Sequence, residues 1–273
     1  MDQEMLSLIL GNEEVVVLLH LFHVKTLLGL GSNPLPGMSK SQSAAALVAA
    51  EHSLRAKNIL RVVEKEKKIE IDRVAIALVG SCVTSQTVFL ISRQLPDGTR
   101  RVNYYYVTPQ LVIEHAFPET GLQQFTAAAK VVEMFPRIDT FLNLEIQTAP
   151  SCPSAQMTQD ALSQAKEQAR NQNQPTVERF LHDQGIPEST GHELAETLTH
   201  WVASGSIIRI NLRTEDRKIT SEEGGLAILE GTNGLWAITP EGVETRLRLK
   251  VEPISAIVLR ARLTALLDHS SMS

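Results

Sequence analysis

The stretch Gly224–Leu267, GGLAILEGTNGLWAITPEGVETRLRLKVEPISAIVLRARLTALL, decides the fold. It reads as three short strands joined by tight turns, then a helix. Asn233-Gly234 stands between two apolar runs, a strong hairpin signal because a type I′ turn takes positive φ at both central residues. Glu241-Gly242 marks the next reversal. From Thr245 to Val251 the pattern alternates: Leu247, Leu249 and Val251 on one face, Arg246, Arg248 and Lys250 on the other, as in a sheet with one wet face. Pro253 is placed to open a helix, where its missing N–H is no loss. Ile254, Ile257, Val258 and Ala261 give that helix one apolar stripe. Leu259, Leu263 and Leu266 give it a second, so it is expected to be covered on two sides.

An earlier part of the chain repeats this plan. Thr87–Arg93 and Arg101–Val107 flank Pro96-Asp97-Gly98 as a hairpin, Leu111–Phe117 supplies a third strand, and Gln124–Phe135 closes the unit with a helical pattern. Upstream, an N-terminal helix is expected over Glu13–Leu28 with Asn12 as its cap, then a breaker-rich loop, then a second helix over Ser39–Leu60. Asp72 caps a short helix, Arg73–Val79, that ends near Gly80. Before the second meander come a helix ended by Gly185, a further helix over Pro187–Ser204 with Leu194, Leu198, Trp201 and Val202 inward, a stop at Gly205, and a strand over Ser206–Leu212. The expected fold class is therefore α+β. It has two similar halves, each of helices, a three-stranded antiparallel meander and a closing helix, related by a quasi-two-fold. The halves are residues 1–146 and 176–273. Residues 147–175 lie between them as a polar linker or exposed helix; within these, Gln156–Gln174 reads equally as helix, linker or partly disordered chain.

Composition narrows the function. With 273 residues, 43% hydrophobic and 21% charged, the chain can bury a substantial core. A formal net charge of −5 argues against non-specific binding to nucleic acid or anionic lipid. Cys82 and Cys152 are far apart and in no metal-ligand spacing, so both are expected as reduced thiols in a cytoplasmic protein. Val15–Leu30 is the one run with membrane character. It carries His20, His23 and Lys25 and falls short of the roughly 18 apolar residues a span needs. Asp2 and Glu4 precede it, so it is no secretory signal either.

No catalytic motif is present. G-x-S-x-G, Walker-type and G-x-G-x-x-G sequences do not occur, and Gly29-Leu30-Gly31 leads into a Pro-rich loop rather than a helix start. His192, Glu196 and His200 share a helix face, but HELAE has glutamate where a zinc protease needs its second histidine, and a solvated polar face is expected. Glu114 and His115 have no nucleophile to serve. No metal, no cofactor and no enzymatic activity are expected. The order of elements over Thr176–Leu249 also matches a winged helix-turn-helix, which keeps a nucleic-acid-binding regulator as the alternative function. Glu188–His200, however, carries Glu188, Glu193 and Glu196 and no lysine or arginine, so that face would repel DNA.

Two α/β halves, an N-terminal apolar helix ending in LLGLGSNPLPG, and the terminal unit GTNGLWAITPE…LRARLTALL together resemble the EspG family of ESX (type VII) secretion-associated chaperones. The resemblance implies a cytoplasmic, non-enzymatic chaperone or adaptor whose partner is a helical-hairpin secretion substrate of the PE–PPE type, held at its hydrophobic tip. It implies a binding surface on the central sheet and neighbouring C-terminal helices, here roughly Leu226–Leu249 with the last helix. Leu235 and Trp236 at the hairpin are the candidate partner contacts, with Arg246 and Arg248 as a polar rim, since Trp and Arg are enriched at interface hot spots.

Overall fold

The computed structural model describes residues 5–31, 34–63, 68–144, 149–170, 173–212, 219–242 and 247–268. In chain order the elements are β1 (Ser7–Gly11), α1 (Asn12–Leu21), α2 (Lys40–Ala56), β2 (Leu60–Val63), β3 (Lys68–Ile71) and α3 (Arg73–Ala75). A π-turn (Ile76–Gly80) and α4 (Ser81–Thr84) follow, then β4 (Thr87–Gln94), β5 (Arg100–Val107), β6 (Val112–Ala116) and β7 (Leu122–Ala128). A 3-10 turn (Val131–Met134) leads to α5 (Phe135–Leu142), β8 (Ala155–Met157), α6 (Gln159–Ala169), α7 (Gln174–Asp183) and α8 (Glu188–Thr199). The chain closes with β9 (Trp201–Leu212), β10 (Ile219–Gly231), β11 (Gly234–Glu241), β12 (Arg248–Ile254) and α9 (Ala256–Asp268). The fold is α+β, and every strand pairing with a described register is antiparallel. The chain forms two compact units of interleaved segments: residues 1–90, 102–134 and 210–222, and residues 91–101, 135–209 and 223–273.

In the first unit the strand order is β1-β7-β6-β5-β4, and β2 and β3 form a separate hairpin. Helix α1 is shorter than the sequence predicts. Its end is set by His23 at φ +58°, with the Val24 amide donating back to Leu19 O at 2.9 Å, a left-handed C-terminal cap. Helix α2 begins with a reciprocal cap: the Gln42 amide donates to Ser39 Oγ, and the Ser39 amide donates to Gln42 Oε1. Asp72 caps α3 through the Val74 amide at 2.8 Å, and the helical path runs on through Gly80 to Thr84 rather than stopping there. The largest departure is Gln124–Phe135. Instead of one closing helix, it holds most of β7, which pairs with β6 on one side and β1 on the other. Pairing on both edges overrides the helix propensity of an alanine-rich segment.

The core of this unit is aromatic. The His115 ring stacks on Phe125 at 4.5 Å between centroids, and its Nε2 lies 2.8 Å from Gln123 Oε1. Complete burial pushes the imidazole down to about 4, against which the Gln123 bond works only weakly. One residue earlier and on the opposite sheet face, Glu114 is also buried and accepts from Tyr105 Oη at 2.8 Å and Asn103 Nδ2 at 3.1 Å.

In the second unit the strand order is β9-β10-β11-β12-β8. The predicted meander and closing helix are present as β10, β11, β12 and α9, with three changes. The β10–β11 register puts Gly231 opposite Gly234, so Thr232 and Asn233 form the loop, and neither has positive φ; the turn is not type I′. Pro253 lies in β12 opposite Trp236 rather than opening α9. It is tolerated there because β8 flanks only Leu249–Val251, so no neighbouring strand needs an amide at Pro253. Helix α8 ends at Thr199, and Trp201 and Val202 begin β9. Gly205 therefore lies inside β9 rather than ending a helix. A Cβ there would stand 2.8 Å from Ser92 O, so glycine lets two backbones approach. The polar segment Gln156–Gln174 resolves in its described part into β8 and α6. Thr158 caps α6 through the Ala161 amide, and Ala161, Leu162, Ala165 and Ala169 form its buried side.

Two outcomes follow. Gly205→Ala is expected to destabilise the protein by about 1–3 kcal/mol, read as a lower urea midpoint at unchanged slope. Because folding excludes a proton from His115, stability is full above pH 6.5 and is lost as pH falls toward 4. His115→Phe is expected to flatten the midpoint-versus-pH curve across that window, and an unchanged slope would assign the dependence to other groups.

Candidate protein-binding groove

The second unit places one sheet face under a layer of helices that does not reach its end. The register fixes this face row by row: Leu229–Trp236–Pro253, then Ala227–Ile238–Val251, then Pro240–Leu249. Helices α6, α7 and α8 pack on the first two rows, where Ala161, Leu162, Ala165, Val177, Leu181, Leu194 and Leu198 join one buried cluster with Leu229, Trp236, Ile238 and Val251. Beyond it, an open groove of about 420 Å³ runs between α6 and the strands. Gln159, Leu162, Ser163 and Lys166 form its helix wall, at spacings of three and four that put them on one face. Ser206 and Ile208 of β9, Leu226 and Ala227 of β10, Ile238 and Pro240 of β11, and Leu247 and Leu249 supply the sheet wall. Leu247 is 45% exposed. Lys166 is the one formally charged side chain in this lining, and burial alone pushes its ammonium below the usual lysine range.

Helix α9 adds a second apolar surface. Leu259 and Leu263 are buried, as one predicted stripe requires, whereas Ile257 is 75% exposed and Val258 46%. Among the described residues nothing covers Ile257 and Val258 of the first predicted stripe, so the expectation that this helix is covered on both sides does not hold there. Ion pairs hold the helix. Arg260 contacts Asp139 of α5 at 2.6 Å, and Arg262 contacts Glu252 of β12 at 2.7 Å. Hydrogen bonding from Arg262 is the chief reason the Glu252 carboxyl sits below its ordinary range.

The residues expected from sequence fare differently. Trp236 is fully buried and donates through Nε1 to Thr197 Oγ1 of α8 at 2.9 Å, and Leu235 is 1% exposed. Neither presents a surface to a partner: Trp236 is packed under α8, and Leu235, next to it on the strand, is buried on the opposite sheet face. Arg248 is exposed and alternates with the groove leucines Leu247 and Leu249. Arg246 lies outside the described residues. Lys166, Leu162 and Ile208 were not anticipated. The signals that point to them are the helical spacing of Leu162 and Lys166 and the alternation of Ser206 and Ile208.

The other chemical candidates are occupied. Among the described residues no group of three His, Cys, Asp or Glu is arranged to hold a metal ion. His192 Nδ1 lies 2.9 Å from Glu178 Oε1, while His200 has left the helix. Cys82 and Cys152 are free thiols, the first buried. Helix α8 buries Leu194, Ala195, Thr197 and Leu198 and presents no lysine or arginine for a phosphate backbone. Among the described residues no helix is long and apolar enough to cross a membrane.

No protein-family model matches this chain, and no curated protein matches it by sequence. Its fold is similar to a solved one, the Mycobacterium tuberculosis type VII secretion system chaperone EspG5 in complex with a PE25–PPE41 dimer. The TM-score is 0.67 over 96% of each chain, at 11% identity. That likeness is one of fold.

Trp236→Ala is expected to cost about 3–5 kcal/mol, visible as a large drop in melting temperature. A variant of unchanged stability would contradict the burial of the hairpin under α8.

Proposed function

We propose that this chain is a non-enzymatic chaperone or adaptor of the cytoplasm that binds a helical protein partner in the groove beside α6. The observation that carries the reading is an apolar sheet end, bounded by Leu226, Ile238, Leu247 and Leu249, that the chain's own helices leave open. Open apolar surface of this kind is stable in a soluble protein when a partner covers it. Part of the groove's sheet wall, Leu226, Ala227, Ile238, Pro240, Leu247 and Leu249, lies in the stretch Leu226–Leu249 that the EspG resemblance implies, whereas its α6 and β9 walls lie outside it. The solved neighbour of like fold is a type VII secretion chaperone bound to a PE25–PPE41 dimer. The client we assign is therefore a helical-hairpin secretion substrate of the PE–PPE type, whose apolar tip enters the groove. Arg248 is the described rim residue of this assignment.

The test is reconstitution with purified PE–PPE heterodimers encoded in the same genome, followed by size-exclusion chromatography and titration. A stoichiometric complex is expected. Ser163→Trp, which fills the groove from an exposed position of α6, is expected to weaken it at least tenfold (about 1.4 kcal/mol) at unchanged melting temperature. Binding undiminished by that substitution would place the site elsewhere. Failure of every such heterodimer to bind would reject the client class.

A further inference from the structure

We propose that the groove selects its occupant by charge: the apolar segment that enters it carries a carboxylate side chain placed to meet Lys166. This rests on the reading of the groove as a protein-binding site and adds what it demands of the partner. Among the described residues that line the groove every other side chain is neutral, so Lys166 is the charge that an occupant meets inside it. Three described carboxylates of the second unit are committed elsewhere. Glu167, the next residue of α6, pairs with Arg170 at 2.7 Å. Glu241, at the end of β11, accepts from Gln156 at 2.9 Å. Glu252 binds both Lys250 and Arg262. Lys166 makes no ion pair among the described residues, although its neighbours in the second unit form several.

An ammonium in this setting is more than a solubilising charge. An apolar occupant would strip water from it, and an uncompensated cation in a water-poor cleft opposes binding. A carboxylate on the occupant restores the lost solvation and gains a charge-assisted hydrogen bond. A basic occupant meets like charge in the same poorly solvated space, so the groove rejects it as well as favouring the acidic one.

The probes are three synthetic helical-hairpin peptides with the same apolar tip, differing in a single tip residue: Glu, Gln or Lys. Their affinities are titrated against the wild-type chain, Lys166→Met, Lys166→Glu and Ser163→Trp, with each variant's fold checked by circular dichroism and melting temperature. Lys166 is on the surface of α6, and methionine keeps its apolar stem, so Lys166→Met isolates the charge. The wild-type chain is expected to bind the Glu peptide at least about tenfold more tightly than the Lys peptide. That ratio should fall to about one in Lys166→Met and reverse in Lys166→Glu, the coupling a double-mutant cycle measures. On binding the Glu peptide, the Lys166 pKa, followed by NMR of its labelled side chain, should rise. Equal binding of all three peptides to the wild type, abolished by Ser163→Trp, would overturn charge selection and leave the groove reading intact. Binding that Ser163→Trp does not weaken, or no binding at all, would overturn the groove reading and this inference with it.

Discussion

The seating of the β10–β11 hairpin on α8 is the constraint from which the second unit follows. Trp236 donates to Thr197, the Thr197 hydroxyl lies 2.6 Å from Asn233 Oδ1, and Asn233 Nδ2 reaches Glu193 Oε2 at 2.6 Å. Gly231 completes the fit, since a Cβ there would stand 2.8 Å from Thr197 Cγ2. A buried indole N–H, a buried hydroxyl and a half-buried amide satisfy one another, and removing the amide or the hydroxyl leaves a buried group short of a partner. The contact pins the helix layer over one end of the sheet face. Because α6 is then placed by its own packing on Ile238 and Val251, no helix among the described residues closes the other end of the face.

What results is an uneven division of apolar surface. The rows containing Trp236 and Val251 are sealed, whereas Leu247 and the outward stripe of α9 stay in solvent. Helix α9 shows how such a helix is retained. One side is packed through Leu259 and Leu263, and the Arg260–Asp139 and Arg262–Glu252 contacts fix its direction, which leaves Ile257 and Val258 free of any role in the core. A helix that leaves an apolar stripe bare beside its packed side is either a liability or an interface. The groove and the bare stripe belong to the same unit and the same C-terminal part of the chain, which is what the chaperone reading requires of a surface that receives an apolar partner.

The first unit shows why chemistry suspected from sequence dissolves on folding. Glu114 and His115 are neighbours in sequence, but the period-two geometry of β6 sends them to opposite faces. There each is absorbed by a structural partner set, Tyr105 and Asn103 for the acid, Phe125 and Gln123 for the histidine. Burial that holds the imidazole neutral makes it a core aromatic. In the second unit the same pleat worked in favour of the sequence reading. The alternation of Leu247, Leu249 and Val251 against Arg248 and Lys250 was legible from residue types alone, and the leucines do line the groove. Trp236 was legible as important but not as buried, because an aromatic residue at a hairpin suits a core and an interface equally well.

The sequence by itself determined the α+β class, the C-terminal meander with its closing helix, the β4–β5 hairpin, the Asp72 cap and the alternating faces of β12. These depend on local chemistry: side-chain caps, turn residues and the period of the hydrophobic pattern. The tertiary structure decided the rest. It turned Gln124–Ala128 into part of a strand held on both edges, drew Pro253 into a ladder beside an unflanked edge, and put Trp236 under α8. It also determined how far α6 reaches along the sheet. Such outcomes depend on where segments distant in sequence come to rest. A groove is the space between two of them, and no local pattern in either segment encodes that space.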